Sequence, residues 1–205
     1  MSAQSKPLRL GVASSNEGKL REYRALAGSA GASLDLVLIP NFDALPKFDE
    51  VAETFAENAV GKALHYSRLS EGLVIADDSG LVVPALSGAP GVHSARYAGP
   101  GAADSDRIRK LLGAMRGKKD GERRARFVCV VALAERGEPR GVFSASAEGE
   151  LLDAPRGEGG FGYDPIFFFP VLGKTYAEVS REEKNQYSHR GKAFRKALDF
   201  LASGS

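Results

Sequence analysis

The sequence predicts an α/β fold built on a mixed β-sheet. Three observations carry that prediction. Short apolar runs bounded by turn residues recur along the chain, as strands do. Segments with helical apolar spacing fall between them, at Phe55, Ala59, Ala63 and Tyr66 and again at Ile108, Leu111, Leu112 and Met115. The two kinds intermix along the 205 residues instead of segregating into separate halves.

In chain order, residues 8–13 read as a first strand. The turn Ser14-Ser15-Asn16-Glu17-Gly18 feeds a helix over 19–27 that ends near Gly28. Residues 34–39 are a second strand, closed by Pro40, and 40–52 form a loop that is acidic towards its end. Thr54-Phe55-Ala56-Glu57 is a capping box, which starts a helix by satisfying orphan backbone donors. Two short strands, 73–76 and 81–83, flank an acidic turn. Residues 87–101, rich in Gly and Pro, are irregular. An amphipathic helix covers 105–116, and a polar loop covers 117–124. Residues 126–134 and 141–150 are two long, paired strands. A glycine-rich loop at 157–162 precedes the apolar strand 166–169. Ser180 to Glu183 gives a second capping box, and a last helix spans roughly 191–201. No linker divides the chain, so it reads as one domain over 1–205 with flexible ends at 1–7 and 203–205.

Composition narrows the function. Hydrophobic content of 43% and charged content of 26% are those of an ordinary globular protein. A net charge of +2, from 28 basic and 26 acidic residues, does not describe a dedicated nucleic-acid binder. Cys129 is the single cysteine, which excludes an intrachain disulfide; its run Phe127-Val128-Cys129-Val130-Val131 marks it as a buried, inert thiol. The first ten residues hold no apolar signal segment, and no apolar stretch approaches the ~20 residues that span a bilayer. The expectation is a cytoplasmic protein with no membrane partner.

Asp77-Asp78-Ser79-Gly80 is the most informative stretch. Two adjacent carboxylates at the end of an apolar run repel one another and lose hydration, costs that a divalent cation relieves. Mg²⁺ takes oxygen ligands, typically one or two carboxylates plus substrate phosphates. The same residues are also ordinary turn formers. Three further segments carry candidate chemistry. Ser14, Ser15, Asn16, Glu17, Gly18 and Lys19 place hydroxyls, an amide and an ammonium at a helix N-terminus, a natural seat for phosphate or simply a helix cap. The GxxxxGK[ST] spacing of a Walker A loop is absent. Phe161 and Tyr163, within Gly159-Gly160-Phe161-Gly162-Tyr163-Asp164-Pro165, could stack on a flat base while Asp164 accepts from it; equally, the aromatics could be core. Lys184, His189 and Arg190 could neutralise phosphates or contact a base edge. Glu50, on the acidic loop, reads by itself as a solvated charge. His65 and His93 receive no role, and Arg123, Arg124 and Arg126 read as a solvated edge.

These segments, in this order, resemble the inosine/xanthosine triphosphate pyrophosphatase family. The resemblance runs from Leu10 to about Leu201. It is carried by Ser15-Asn16-Glu17-Gly18-Lys19, Ala76-Asp77-Asp78-Ser79-Gly80-Leu81, Gly88-Ala89-Pro90-Gly91-Val92-His93-Ser94-Ala95-Arg96-Tyr97, residues 159–165 and Ser188-His189-Arg190. It implies an elongated mixed sheet flanked by helices, two lobes around a deep nucleotide-binding cleft, and a homodimer. It implies hydrolysis of non-standard purine nucleoside triphosphates (ITP, dITP, XTP) to monophosphate and pyrophosphate. Asp78 would be the catalytic proton acceptor and a Mg²⁺ ligand, with Glu50 as a second ligand. Residues 14–19 would hold the triphosphate, and Ser79, Phe161, Gly162, Tyr163, Asp164, Lys184, His189 and Arg190 would contact the nucleotide. Two alternatives stay open on the residues alone: a pyrophosphatase for other modified nucleotides, and a non-catalytic nucleotide-binding regulator.

Overall fold

The computed structural model describes residues 7–29 and 34–203. Of the ends read as flexible, 1–6 and 204–205 lie outside the described residues. The strands are β1 (Leu8–Val12), β2 (Leu34–Leu38), β3 (Leu73–Val82), β4 (Arg124–Glu135), β5 (Glu138–Leu151), β6 (Phe167–Phe169) and β7 (Lys174–Thr175). The helices are α1 (Glu17–Ser29), α2 (Phe55–Ser67), α3 (Asp104–Ala114), α4 (Arg181–Tyr187) and α5 (His189–Ala202). The sheet has seven strands in the order β2-β1-β3-β4-β5-β6-β7. β1 pairs in parallel with β2 and β3, whereas β6 pairs antiparallel with β5 and β7, so the sheet is mixed as predicted. No helix among the described residues is long and apolar enough to cross a membrane.

One predicted element is corrected. Residues 73–83 are not two strands around a turn: β3 runs without a break through Asp77-Asp78-Ser79-Gly80. Turn propensity loses here because β3 lies inside the sheet, between β1 and β4, where a break would orphan backbone groups on both sides. The Ser180 capping box forms as expected, whereas at Thr54 only half of one forms: Glu57 accepts from the Thr54 hydroxyl and not from its backbone N–H. Thr54 Oγ1 accepts the Glu57 N–H, and Ser180 Oγ accepts the Glu183 N–H while Glu183 bonds back to the Ser180 N–H.

The chain divides into two compact units. The first comprises 1–78, 130–144 and 193–205. Its core packs Ala59, Ala63 and Tyr66 of α2 against Ala13, Ile39, Val74, Ala76, Val130, Ala132 and Ala134. Tyr23 of α1 meets Phe194 of α5 edge to face, with ring centroids 5.2 Å apart. The second unit comprises 79–129 and 145–192. Its core joins Ile108 and Leu111 of α3, and Met115 at its C-cap, to Leu81, Val83, Phe127, Phe167, Phe169 and Tyr176. Phe167 is fully buried, 4.7 Å from the Phe127 ring and 4.9 Å from that of Tyr176. Gly149 makes room for it, since a Cβ there would lie 2.6 Å from the Phe167 ring.

Arg123 departs from the solvated edge expected of it. It is buried, its Nε donates to the Leu151 carbonyl at 2.7 Å, and its guanidinium also reaches the Leu152 carbonyl and Asp153. Arg124 and Arg126 are exposed as expected. The fork of five N–H donors lets one arginine close off the end of β5, a use that sequence spacing does not display.

Phe167→Ala should cost about 3–5 kcal/mol of unfolding free energy. Val171→Ala, at a 68% exposed site, should stay within about 0.5 kcal/mol. Urea titrations of both variants check the pair, and equal midpoints would contradict this core assignment.

Candidate active site

In the first unit, the turn before α1 is organised by its own side chains. Ser14 Oγ accepts the Asn16 N–H at 3.2 Å. Asn16 Oδ1 accepts the Lys19 N–H at 3.0 Å, so Asn16 caps the helix. Ser14 and Gly18 are buried; Ser15, Asn16 and Glu17 face solvent. Lys19 extends from the first turn of α1 to Asp77, with Nζ 2.9 Å from Oδ2.

The two acids of the pair meet different partners. Consecutive side chains of an extended strand point to opposite faces. Asp77 goes to Lys19 of α1, whereas Asp78 meets α2. There Asn58 Nδ2 donates to Asp78 Oδ2 at 3.0 Å. Asp77 forms an ion pair with the Lys19 ammonium, and Asp78 is the acid within electrostatic range of Glu50. Burial pushes the Asp78 carboxyl above the usual carboxylate range; Glu50 pushes the same way, while Lys19, Asn58 and Lys62 pull it back.

Glu50 is not a solvated loop charge. It is half-buried, and its Oε1 takes an ion pair from Lys62 of α2. Among the described residues no three His, Cys, Asp or Glu side chains gather into a metal cage. Glu50 is nonetheless close enough to act electrostatically on Asp78. Two carboxylates are the kind of protein ligand that Mg²⁺ takes alongside phosphate oxygens and water.

Lys62 and Asn58 were invisible to motif reading. The signal that could have found them is helical register: they stand four residues apart, and so lie together on one face of α2. Both are buried, which is unusual for a lysine unless it is paired.

In the second unit, Ser79 follows Asp78 along β3, and Arg190 donates from its guanidinium to Ser79 Oγ at 2.8 Å. Arg190 is 2% exposed, and His189 beside it stacks on Phe127 with rings 4.7 Å apart and 9° from parallel. Both residues open α5. Asp164 and Lys184 form a buried ion pair, and Asp164 Oδ2 also accepts the Phe161 N–H at 2.8 Å. Those bonds commit Asp164 within the protein, where the sequence suggested an acceptor for a base. Phe161 is half-buried; the Lys184 ammonium lies 4.8 Å and the Arg190 guanidinium 5.7 Å from its ring centre. Tyr163 takes the core option: it is 3% exposed, and its hydroxyl donates to the Ser94 carbonyl at 2.9 Å. Burial raises its pKa far above that of a free phenol. The Gly162 N–H donates to Asp104 Oδ2 at 2.7 Å.

A separate concavity of about 610 Å³ in the first unit is lined by Arg9, Gly11, Val37, Arg68 and Glu71, among others. It contains none of the residues just described.

The Ham1 family model matches residues 10–200. A dITP/XTP pyrophosphatase of Geobacillus kaustophilus is 51% identical over 185 residues, covering 90% of each chain. A second, from a strain of Thermus thermophilus, is 47% identical over 94% of this chain and 91% of its own. The structure of a HAM1 protein from Coxiella burnetii superposes with a TM-score of 0.85 at 40% identity, covering 96% of this chain and 99% of that one.

Asp78 also bears on stability. A carboxyl whose native pKa lies above its unfolded value holds its proton more tightly in the folded chain, so the folded state loses stability as pH rises through that window. Asp78→Asn retains an acceptor for Asn58 and removes the buried charge. It should raise the Tm at pH 7 by about 2–4 °C per kcal/mol relieved. The gain should vanish below the usual carboxylate range, near pH ~3. Thermal melts across that range test this; a variant less stable than the parent at pH 7 contradicts it.

Proposed function

This chain belongs to the Ham1 family, and from that membership we infer that it is a nucleoside-triphosphate pyrophosphatase that hydrolyses dITP, ITP and XTP to the monophosphate and pyrophosphate. Asp78 is the observation that carries this function. It is a buried carboxylate hydrogen-bonded by the Asn58 amide, within electrostatic range of Glu50, Lys19 and Lys62. A pure nucleotide binder would gain little from burying an acid beside phosphates.

Asp78 is the acceptor for the proton of the attacking water. Lys19 and Lys62 neutralise the phosphate chain, and the first turn of α1 offers backbone N–H groups and the positive end of its dipole. Asp78 and Glu50 would hold Mg²⁺, which when bound screens phosphate charge and stabilises the charge that develops on the leaving oxygens.

The second unit carries side chains suited to a purine base. The Lys184–Asp164 pair fixes Phe161 through its backbone N–H and leaves its ring for the purine. Arg190 is a donor suited to the 6-carbonyl of hypoxanthine and xanthine; adenine carries an amino group there and would leave the donor unpaired. The Ser79 hydroxyl holds that guanidinium in place. The homodimer and the cytoplasmic location implied by the resemblance belong to the same proposal.

Pyrophosphate release from dITP, ITP, XTP, dATP and dGTP, with and without Mg²⁺, tests the function. The first three should turn over, and chelation should abolish the activity. Asp78→Asn should lower kcat by about 100-fold or more. Arg190→Ala should erode the preference for dITP over dATP by about 10-fold or more. Preference for a canonical triphosphate, or a fully active Asp78→Asn enzyme, would overturn the assignment.

A further inference from the structure

Asn58 makes three hydrogen bonds that tie two separate pieces of the first unit together. Its Oδ1 accepts the Ala52 N–H at 3.0 Å. Its Nδ2 donates to the Ala52 carbonyl at 3.2 Å and to Asp78 Oδ2 at 3.0 Å. The amide has one acceptor oxygen and two N–H donors, so both of its donors and its oxygen are engaged. It is 1% exposed, where an unmet polar group would be costly. No other side chain of this size supplies this set. Aspartate would set an oxygen against the Asp78 carboxylate, and leucine would orphan the Ala52 backbone.

Ala52 is two residues from Glu50, and the whole loop before α2 is seated on that helix. His65 Nε2–H donates to the Pro46 carbonyl at 2.7 Å. The Phe48 N–H reaches the Tyr66 hydroxyl at 3.4 Å. The Phe48 ring lies over Gly61, where a Cβ would stand 2.6 Å away. Glycine inside a helix costs about 1 kcal/mol relative to alanine, and here it leaves the seat that Phe48 occupies.

We propose that Asn58 is a positioning residue which, through one side-chain amide, locks the Glu50 loop and the Asp78 carboxylate into a single unit, so that the two acids keep one mutual geometry during turnover. It touches neither substrate nor the reacting atoms; it acts through Asp78 and Ala52. Its effect on turnover rests on the pyrophosphatase function above, whereas its effect on the loop does not.

The test uses the full chain in two arms. In nucleotide-free protein, amide hydrogen exchange should show Asn58→Ala losing protection at Ala52 while β3 stays protected; unchanged protection at Ala52 overturns the proposal. With dITP and Mg²⁺, Asn58→Ala should lose about 10- to 100-fold in kcat, as for groups that orient metal-binding carboxylates, with KM moved by less than about 3-fold. A kcat within about 2-fold of the parent overturns it. Gly61→Ala, which disturbs the loop from its other end, should lower kcat as well. In a Glu50→Gln background the Asn58→Ala loss should shrink, because groups acting as one unit are not additive; a fully additive double variant overturns the coupling. Should Asn58→Ala fail to fold, the near-isosteric Asn58→Asp is expected to lose kcat at least as severely, and parental turnover in it overturns the proposal. Failure of the parent protein to hydrolyse dITP sinks the function while leaving the exchange arm to decide the loop.

Discussion

Alternation along one extended strand governs the candidate site. β3 carries Asp77 and Asp78 through the interior of the sheet, and the pleat sends them to opposite faces. Each buried charge then needs its own partner. Asp77 is paired with Lys19 from α1, which reduces the penalty of burying it. Asp78 receives an amide hydrogen bond from Asn58, and burial makes its carboxyl harder to ionise. Two acids that look equivalent on paper thereby meet different partners: one secures α1 to the strand, and the other faces the amide of α2.

Helix α2 supplies the remainder of that environment. Its apolar side, Ala59, Ala63 and Tyr66, packs against the sheet. Another stripe, Asn58 and Lys62, meets Asp78 and Glu50. Because side chains four apart on a helix are neighbours, one rigid element holds both the amide and the ammonium at fixed spacing. The Thr54 cap, whose hydroxyl accepts the Glu57 N–H and donates to the Glu57 carboxylate, fixes where the helix begins, and therefore where that stripe falls.

The second unit uses a different device. Its cations are set among aromatic faces: Lys184 and Arg190 near Phe161, and His189 flat on Phe127. Buried guanidinium and ammonium groups in such a setting are held in few orientations, and a donor that cannot swing away discriminates better between hydrogen-bonding partners. The Asp164 carboxylate organises this cluster through Lys184 and the Phe161 N–H.

Local signals were sufficient for the elements whose boundaries depend on local chemistry. The caps of α2 and α4, the amphipathic spacing of α2 and α3, the long strands β4 and β5, and the buried Cys129 are all readable because each arises from a few neighbouring residues. The same holds for Asp78, Lys19 and Arg190 as residues of interest. Other features follow from partners distant in the chain. Strand pairing carried β3 through a turn-like sequence, Arg123 found the carbonyls at 151 and 152, Tyr163 went to the core, and Glu50 was drawn from a polar loop to Lys62. The sequence by itself determined most of the helices and strands and which residue types carry charge; only the tertiary structure decided that β3 runs unbroken and which charge meets which, because those energies depend on burial and on distances between residues far apart in the chain.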